Sequence, residues 1–409
     1  MDTGRDAVVV TIGTELTEGL RYDTNSRDVA RVLVEAGYAV RELVSLPDDE
    51  EAVADALTRL LAAYSLVVVT GGLGPTHDDI TRQAASRAVG RPLVRDGRIA
   101  ESLSAVVTRH AEPLAAARVL AQADVIEGAR SLPPTAGTAP GMVIETNSAT
   151  LVLLPGPPRE MRPMLDAFIG EDRRGIPSVT LRCFGITESD AQARVEPVLE
   201  PYPDVVLTLL AGLQDLEVIL LPRGADAPRL AEAAARVKTV LGRNCFSADG
   251  SSLAATVLRL ARERGLRIAC AESCTGGLVS AAVTDVPGAS DVFAGGVVSY
   301  SDDFKTGVLS VAPELIRIHG AVSAEVALAM AEGALRIASA DIAVSATGIA
   351  GPGGGSEEKP VGLVWFGIAC ADGRSETVRH TFFGDRAAVR TRASATALDL
   401  LRRLIEDRF

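Results

Sequence analysis

Residues 266–286 read LRIACAESCTGGLVSAAVTDV, and the reading of this stretch decides how the second half of the chain folds. LRIACA is an apolar run of strand length, whereas LVSAAVTDV places small and apolar residues at helical spacing. Between them, Ser273 to Gly277 ends in two adjacent glycines, which suits a tight strand-to-helix turn. A turn of this kind presents one side chain at the end of the strand and points the first amides of the new helix into the same space. Either Ser273 or Cys274 is that side chain, and only partners elsewhere in the chain can decide between them.

Outward from this point the alternation continues. SLAATVLRLARERG (252–265) is a helix with serine caps and a glycine stop. GGVVSY (295–300) reads as a strand, SDDFKTGVL (301–309) as a helix start and AEVALAMAEGALRIAS (324–339) as a long helix. DIAVSATGIAGPGGG (341–355) is a strand running into a glycine loop, VGLVWFGIA (361–369) a further strand, and a last helix starts at Asp385. The amino-terminal part alternates likewise: DAVVVTIG (6–13), a helix over TNSRDVARVLVEAG (24–37), YAVRELVSL (38–46), EEAVADALTRLLAAY (50–64) and SLVVVTGG (65–72). In the first of these helices Val29, Leu33 and Val34 fall on one face and Gly37 is the stop. GTAPGMV (137–143) and ATLVLLPGPPREM (149–161) add two loop and strand pieces. EDRRGIP (171–177) breaks the pattern as a linker. After it come three strand-like runs and a helix from Pro228 to Leu241, a small unit expected to connect and orient. The expected fold is α/β: two three-layer α/β/α domains, 1–170 and 249–409, joined by a small α+β domain over 171–248.

The chain has 409 residues with 41 basic and 53 acidic side chains, a net charge of -12, and no basic stripe. That argues against a dedicated nucleic-acid binder. Its five cysteines, at 183, 245, 270, 274 and 370, form no CxxC or His-spaced pair, so neither a zinc site nor a disulfide framework is suggested. The start lacks the pattern of a secretory leader, and no apolar run approaches the ~20 residues needed to span a bilayer. The expectation is a soluble, cytoplasmic protein that does not engage a membrane.

A serine nucleophile needs a base. His319 and His380, the two histidines of this half, sit in a loop and near a strand end with no serine-hydrolase pattern around them. VVSYSDDFKTG (297–307) offers Tyr300 and Lys305, 27 and 32 positions after Ser273. A lysine desolvated at a strand end has a depressed pKa and can accept the serine proton; a surface lysine is the plain reading of the same residue. SATGIAGPGGG (345–355) lacks the Lys-Ser/Thr ending of a P-loop, yet its backbone can approach a phosphate or carbonyl, with Thr347 donating a hydrogen bond. A packing turn is the plain reading there.

Taken together, AESCTGG, VVSYSDDFKTG and VSATGIAGPGGG followed by PVGLVWFGIA resemble the carboxyl-terminal domain of the CinA family, known as nicotinamide mononucleotide (NMN) deamidase. The resemblance implies hydrolysis of the NMN carboxamide to nicotinic acid mononucleotide and ammonia, without a cofactor. It implies that Ser273 attacks, that Lys305 is general base and then acid, and that Tyr300 positions and polarises the pair. The amides of Cys274, Thr275, Gly276 and Gly277 would form the oxyanion site. Thr347, Gly348 and Gly351 would hold the nucleotide, with Arg386 and Arg390 as phosphate contacts or surface ion pairs. A homodimer is also implied.

In the amino-terminal half the densest polar stretch is TGGLGPTHDDIT (70–81). Gly71, Gly72 and Gly74 let backbone approach a ligand, and Asp78 with Asp79 heads a helix, where carboxylates also serve as plain caps. Glu15, Asp23, Asn25, Asp48 and Asp79 fall at one edge of the expected sheet, a set of oxygen ligands suited to Mg²⁺ bridging a phosphate. TIGTEL, YDTNS, SLPDDE, GGLGPTHDDIT, GTAPGM and LPGPPREM resemble the molybdopterin-binding fold shared with MoaB and MogA, in the form found in full-length CinA proteins. That resemblance implies a metal-dependent step served by Asp48 and Asp79, and an ADP-ribose pyrophosphatase releasing AMP and ribose 5-phosphate. One segment departs from the pattern. ARVLAQAD (117–124) keeps Gln122 and Ala123 but has Val119 to Ala121 where Asn and Lys are common, removing a lysine that would meet a phosphate, so binding without turnover stands as an alternative. A molybdopterin-binding or adenylating protein, and a non-enzymatic competence partner, are the competing readings for the whole chain.

Overall fold

The computed structural model describes residues 5–107, 112–170, 178–222 and 229–408, which divide into two compact units, 5–170 and 178–408. The expected linker at 171–177 and Pro228 lie outside the described residues.

The first unit is built on a six-stranded sheet. Its order is Ala39–Leu46, Asp6–Ile12, Leu66–Thr70, Thr150–Leu154, Gly141–Glu145, Arg130–Leu132; the first four are parallel and the last two antiparallel. Asp6–Ile12 reads as a continuous apolar run because both its faces are covered: Val8 and Val10 enter one core, Ala7 and Val9 the other. The helix Asn25–Glu35 buries Val29, Val32, Leu33 and the following Ala36, an i, i+3, i+4, i+7 stripe; Val34, expected on that face, is only half-buried. The helix Glu50–Ala63 begins at Asp49, whose carboxylate accepts from Ala52 N. Parallel pairing brings the carboxyl-end loops together. Gly13 N donates to Leu46 O and Gly71 N to Leu154 O, both at 3.0 Å. A two-stranded ladder of Leu93–Arg95 with Asp124–Ile126, and the helices Gly97–Val107 and Pro113–Ala121, were not read from the sequence.

The second unit carries two sheets. The smaller is antiparallel, in the order Val205–Ala211, Leu216–Pro222, Val179–Cys183, Cys245–Ser247, and the helices Glu188–Leu199 and Leu230–Leu241 share its core. This is the β-α-β-β-α-β arrangement of ferredoxin-like units. The larger sheet runs Phe293–Val298, Ile268–Glu272, Ile342–Gly348, Leu363–Cys370, Ser375–Thr381, three parallel strands followed by two antiparallel ones. One of its cores takes in Leu253–Glu263, Leu278–Thr284 and Arg386–Arg408; the other takes in Asp302–Leu309 and Ala324–Ala338. Among the described residues no helix is long and apolar enough to cross a membrane.

Candidate active sites

Ile268–Glu272 lies between two parallel neighbours, so its carboxyl end opens where loops gather. There Ser273 N donates to Ala346 O at 2.9 Å and Gly276 N to Ser273 O at 3.1 Å, closing the turn. Gly277 has φ +96, which an L side chain rarely adopts, and so permits the helix Leu278–Thr284 to start at once. The fully buried Glu272 caps that helix. Its carboxylate accepts from Gly277 N (2.9 Å), Val279 N (3.0 Å), Ser280 N (2.9 Å) and Ser280 Oγ (2.7 Å). The expected four-amide oxyanion site is therefore corrected. Gly276 N–H and Gly277 N–H are engaged within the turn, whereas Cys274 N–H and Thr275 N–H face the Cys274 sulfur and favour its thiolate form. Ser273 is 8% exposed and its hydroxyl makes no hydrogen bond to the described residues. Burial pushes the Cys274 thiol up to about 12, with the Glu272 charge adding to the effect, so the sulfur stays protonated.

Lys305 is the fourth residue of Asp302–Leu309, a helix capped by Ser301, whose Oγ accepts from Phe304 N at 3.2 Å. Its side chain turns inward and the residue is 1% exposed. Nζ donates to Tyr300 O at 3.2 Å and faces the exposed Asp302 at 3.8 Å. Burial holds the ammonium below the ordinary lysine value, and Asp302 opposes the shift. Sheet register brings base and serine to one end: Glu272 pairs with Val298, and Ser299 N donates to Glu272 O at 2.7 Å. Ser273 Oγ and Lys305 Nζ are not hydrogen-bonded to each other; Nζ is engaged by Tyr300 O. Tyr300 lies two residues past the strand it was expected to close, and it meets Lys305 through its carbonyl. Its ring is 62% exposed, and its hydroxyl accepts from Arg386 at 2.9 Å.

Arg386 also donates to Gly351 O at 2.9 Å, so it ties Tyr300 to the glycine loop. Arg390 donates to Cys274 O (3.1 Å) and Thr275 O (2.9 Å), propping the nucleophile turn. Both side chains thus hold protein groups. Thr347 is buried and its hydroxyl proton is engaged by Ala321 O at 2.8 Å, which corrects the expectation that it donates to a ligand. A Cβ on Gly348 would lie 2.6 Å from Leu363 O, so that glycine serves sheet packing. His319 ends the helix Pro313–His319 instead of lying in a loop, and the His380 ring stacks on Phe382. Sequence reasoning missed Glu272, whose signal is an acid just before a helix start. It also missed Thr275 Oγ1 and Ser299 Oγ, buried hydroxyls without a partner in this same turn and strand end.

In the first unit, two adjoining cavities of about 440 and 380 Å³ share Ile12, Glu15, Gly71, Gly156 and Pro157. Arg21, Asp23, Asn25 and Thr70 line one; Asp48, Gly72, Gly74, Asp78, Asp79, Gln122 and Glu160 line the other. All nine expected residues therefore meet at one sheet edge. Asp79 closes the glycine loop by accepting from Gly74 N (2.7 Å), Thr76 N (2.7 Å) and Thr76 Oγ1 (2.6 Å). Asp48 accepts from Thr14 N at 2.7 Å. Asp23 accepts from Ser26 N (2.9 Å), Ser26 Oγ and Thr11 Oγ1 (2.9 Å), and Asn25 donates to Gly156 O at 2.7 Å. A Cβ on Gly71 would stand 2.3 Å from Ile12 O. Beneath the loop the buried Arg82, unread in the sequence, donates to Leu73 O (2.6 Å) and Gly74 O (3.0 Å). Among the described residues no three carboxylate, thiol or imidazole groups form a metal cage. Asp48 and Asp79 both line the second cavity, and the Asp79 oxygens are already engaged by the glycine loop.

Two family profiles match the chain: a probable molybdopterin binding domain over residues 8–174 and the CinA C-terminal domain over 250–405. A CinA-like protein of Citrifermentans bemidjiense is 41% identical over 402 residues, 97% of either chain. A CinA-like protein of Acidobacterium capsulatum is 38% identical, covering 97% of this chain and 99% of that one. A putative competence-damage inducible protein of Symbiobacterium thermophilum is 39% identical over 98% of both. The crystal structure of the competence/damage inducible protein CihA from Agrobacterium tumefaciens is 42% identical, covering 37% of this chain and 93% of that one with a TM-score of 0.37.

Proposed function

Because the chain belongs to the CinA family, we propose that its second unit is a nicotinamide-nucleotide amidase, converting NMN to nicotinic acid mononucleotide and ammonia by a Ser273–Lys305 mechanism. The observation that carries this reading is a buried lysine in the first turns of Asp302–Leu309 together with a buried, unengaged serine at the end of the neighbouring strand Ile268–Glu272. Neutral Lys305 takes the Ser273 proton as Oγ attacks the carboxamide carbon. The oxyanion faces Cys274 N–H and Thr275 N–H. Lys305 returns the proton to the leaving nitrogen, the C–N bond breaks and ammonia departs. Water then attacks the acyl-serine, Lys305 accepts its proton, and Ser273 is regenerated with release of the carboxylate product. The exposed Tyr300 ring, fixed by Arg386, offers an aromatic face to the pyridinium. In the test, ammonia release from NMN is measured on the full chain. Ser273→Ala abolishes it and leaves thermal unfolding unchanged, whereas Cys274→Ala keeps it; a dead Cys274→Ala beside an active Ser273→Ala overturns the assignment.

A second reading concerns the first unit. Asp48 and Asp79 line a cavity that has no lysine or arginine among its lining residues, so a pyrophosphate would be accepted there only together with a divalent cation. On this reading the first unit cleaves ADP-ribose to AMP and ribose 5-phosphate with a divalent cation, and binding without turnover is the alternative. AMP formation with Mg²⁺, lost with chelator and in Asp79→Asn, is the expected result; ADP-ribose left intact at saturating Mg²⁺ refutes it.

A further inference from the structure

The five cysteines look unrelated in sequence, yet the small antiparallel sheet places two of them side by side. Cys183 ends Val179–Cys183, Cys245 begins Cys245–Ser247, and the register sets the two directly opposite. Phe184 N donates to Asn244 O at 2.8 Å, just outside the pair. A ladder bond from residue i+1 to residue j−1 marks i and j as a non-hydrogen-bonded antiparallel pair, with Cα atoms ~4.5 Å apart and side chains at their closest. That spacing lies within the span a disulfide bridges. The two thiols act on each other's protonation, the Cys245 thiol donates to Ser247 O at 3.4 Å, and neither is in a disulfide. Cys183 has no exposed surface but borders a cavity of about 260 Å³, and Cys245 lines a second one of about 440 Å³ together with Lys238, Ser247, Asp249 and Arg259.

We propose that Cys183 and Cys245 form an oxidisable dithiol site whose co-substrate is a small hydroperoxide, and that it closes to a disulfide between the two strands. The roles are unequal. The hydrogen bond from Cys183 and the nearby Lys238 hold the Cys245 thiol below its ordinary value, while the same bond and burial hold Cys183 above it. Cys245 is the attacking thiolate: its sulfur forms an S–O bond with the peroxide, the O–O bond breaks, and hydroxide leaves. Cys183 sulfur then attacks the sulfenic sulfur of Cys245 as its proton passes to the departing oxygen, which leaves as water. In sum, two thiols are oxidised by two electrons and the hydroperoxide ROOH becomes ROH and one water, which for hydrogen peroxide is two waters. Cys270 and Cys274 stay out of this chemistry, because burial pushes both thiols up to about 12.

The test treats the full chain with a slight excess of hydrogen peroxide, then denatures and alkylates it for mass spectrometry. The expected result is a mass loss of about 2 Da, a fall in alkylatable thiols from five to three, and a peptide joining Cys183 to Cys245. The bridge spans 62 positions, so the melting temperature of the oxidised chain rises by roughly 5–10 °C. In Cys183→Ser the reaction stops at a sulfenic acid on Cys245 that dimedone traps, and Cys245→Ser, the second variant, keeps its four thiols. Five intact thiols after treatment, a bridge through another pair, or oxidation of Cys245 to sulfinate without a bridge overturns the proposal.

Discussion

Replacing Asp302 by Asn should raise amidase turnover on the acidic side of the pH profile. In the proposed mechanism Lys305 must be neutral to take the serine proton. Burial lowers its affinity for protons, and Asp302, 3.8 Å from Nζ, is the carboxylate that partly restores it. Coulomb's law at that separation gives about 1 kcal/mol at the dielectric constant of water and about 4 kcal/mol at an effective value of 20. Asp302 is 58% exposed on its side chain, so the lower figure governs. A stabilisation of about 1 kcal/mol changes an equilibrium about fivefold. On the limb where activity follows the neutral fraction of Lys305, kcat/KM for NMN should therefore rise by up to about fivefold, with no change on the plateau. Asp303→Asn is the control: it removes a charge from the same first turn, loses the same ~0.3–1 kcal/mol of helix-dipole stabilisation, and leaves the limb where it was. The assay is initial-rate ammonia release across pH at low salt, since salt screens the effect. A limb that stays fixed in Asp302→Asn, or moves equally in Asp303→Asn, means that the titrating base is not Lys305.

Two further outcomes bear on the same turn. Lys305→Met should lower ammonia release by about 10²–10⁴-fold while removing a pH dependence of stability. The folded-state pKa is depressed, so between that value and the ordinary 10.5 the unfolded chain binds more protons; wild-type stability rises with pH across that window and the variant's does not, as urea melts at several pH values will report. Glu272→Gln replaces the charged acceptor of three amides and one hydroxyl with a neutral amide, a loss of about 1.5–3 kcal/mol read from the urea midpoint, and a shift under ~0.5 kcal/mol contradicts the capping role.

Much of this architecture is legible because its signals are local. Strands covered on both faces, such as Asp6–Ile12 and Ile268–Glu272, leave continuous apolar runs, and the turns after them leave glycines. The three-residue strands Leu93–Arg95 and Arg130–Leu132 are too short to carry a period, and Ser375–Thr381 is a largely exposed edge strand without an apolar face. Within the site, residue types are readable but directions are not. Ser273 and Lys305 announce their chemistry, whereas nothing in GDRAAVRTRA reveals that Arg386 and Arg390 grip carbonyls of the glycine loop and the nucleophile turn. Likewise the facing of Cys183 and Cys245 depends on strand order, 62 positions apart in the chain.

The choice between Ser273 and Cys274 turns on Glu272, one residue earlier. A buried carboxylate at a helix start needs donors, and this one takes three amides and a hydroxyl from the helix that follows. In doing so it neutralises the positive end of Leu278–Thr284, which would otherwise favour a thiolate at this position. The same anion adds to burial in keeping the Cys274 thiol protonated up to about 12. On the proposed reading a Cys274 nucleophile would start from a protonated thiol, against the opposing pull of the Cys274 and Thr275 amides and of Arg390. The serine is indifferent to these effects, because it is never ionised before attack and its proton goes directly to Lys305. Engaging the Gly277 amide also removes it from the donors an oxyanion could use, which on the proposed mechanism keeps the developing charge next to the serine. In the proposed mechanism the carboxylate thereby bears on both which atom attacks and where the charge develops.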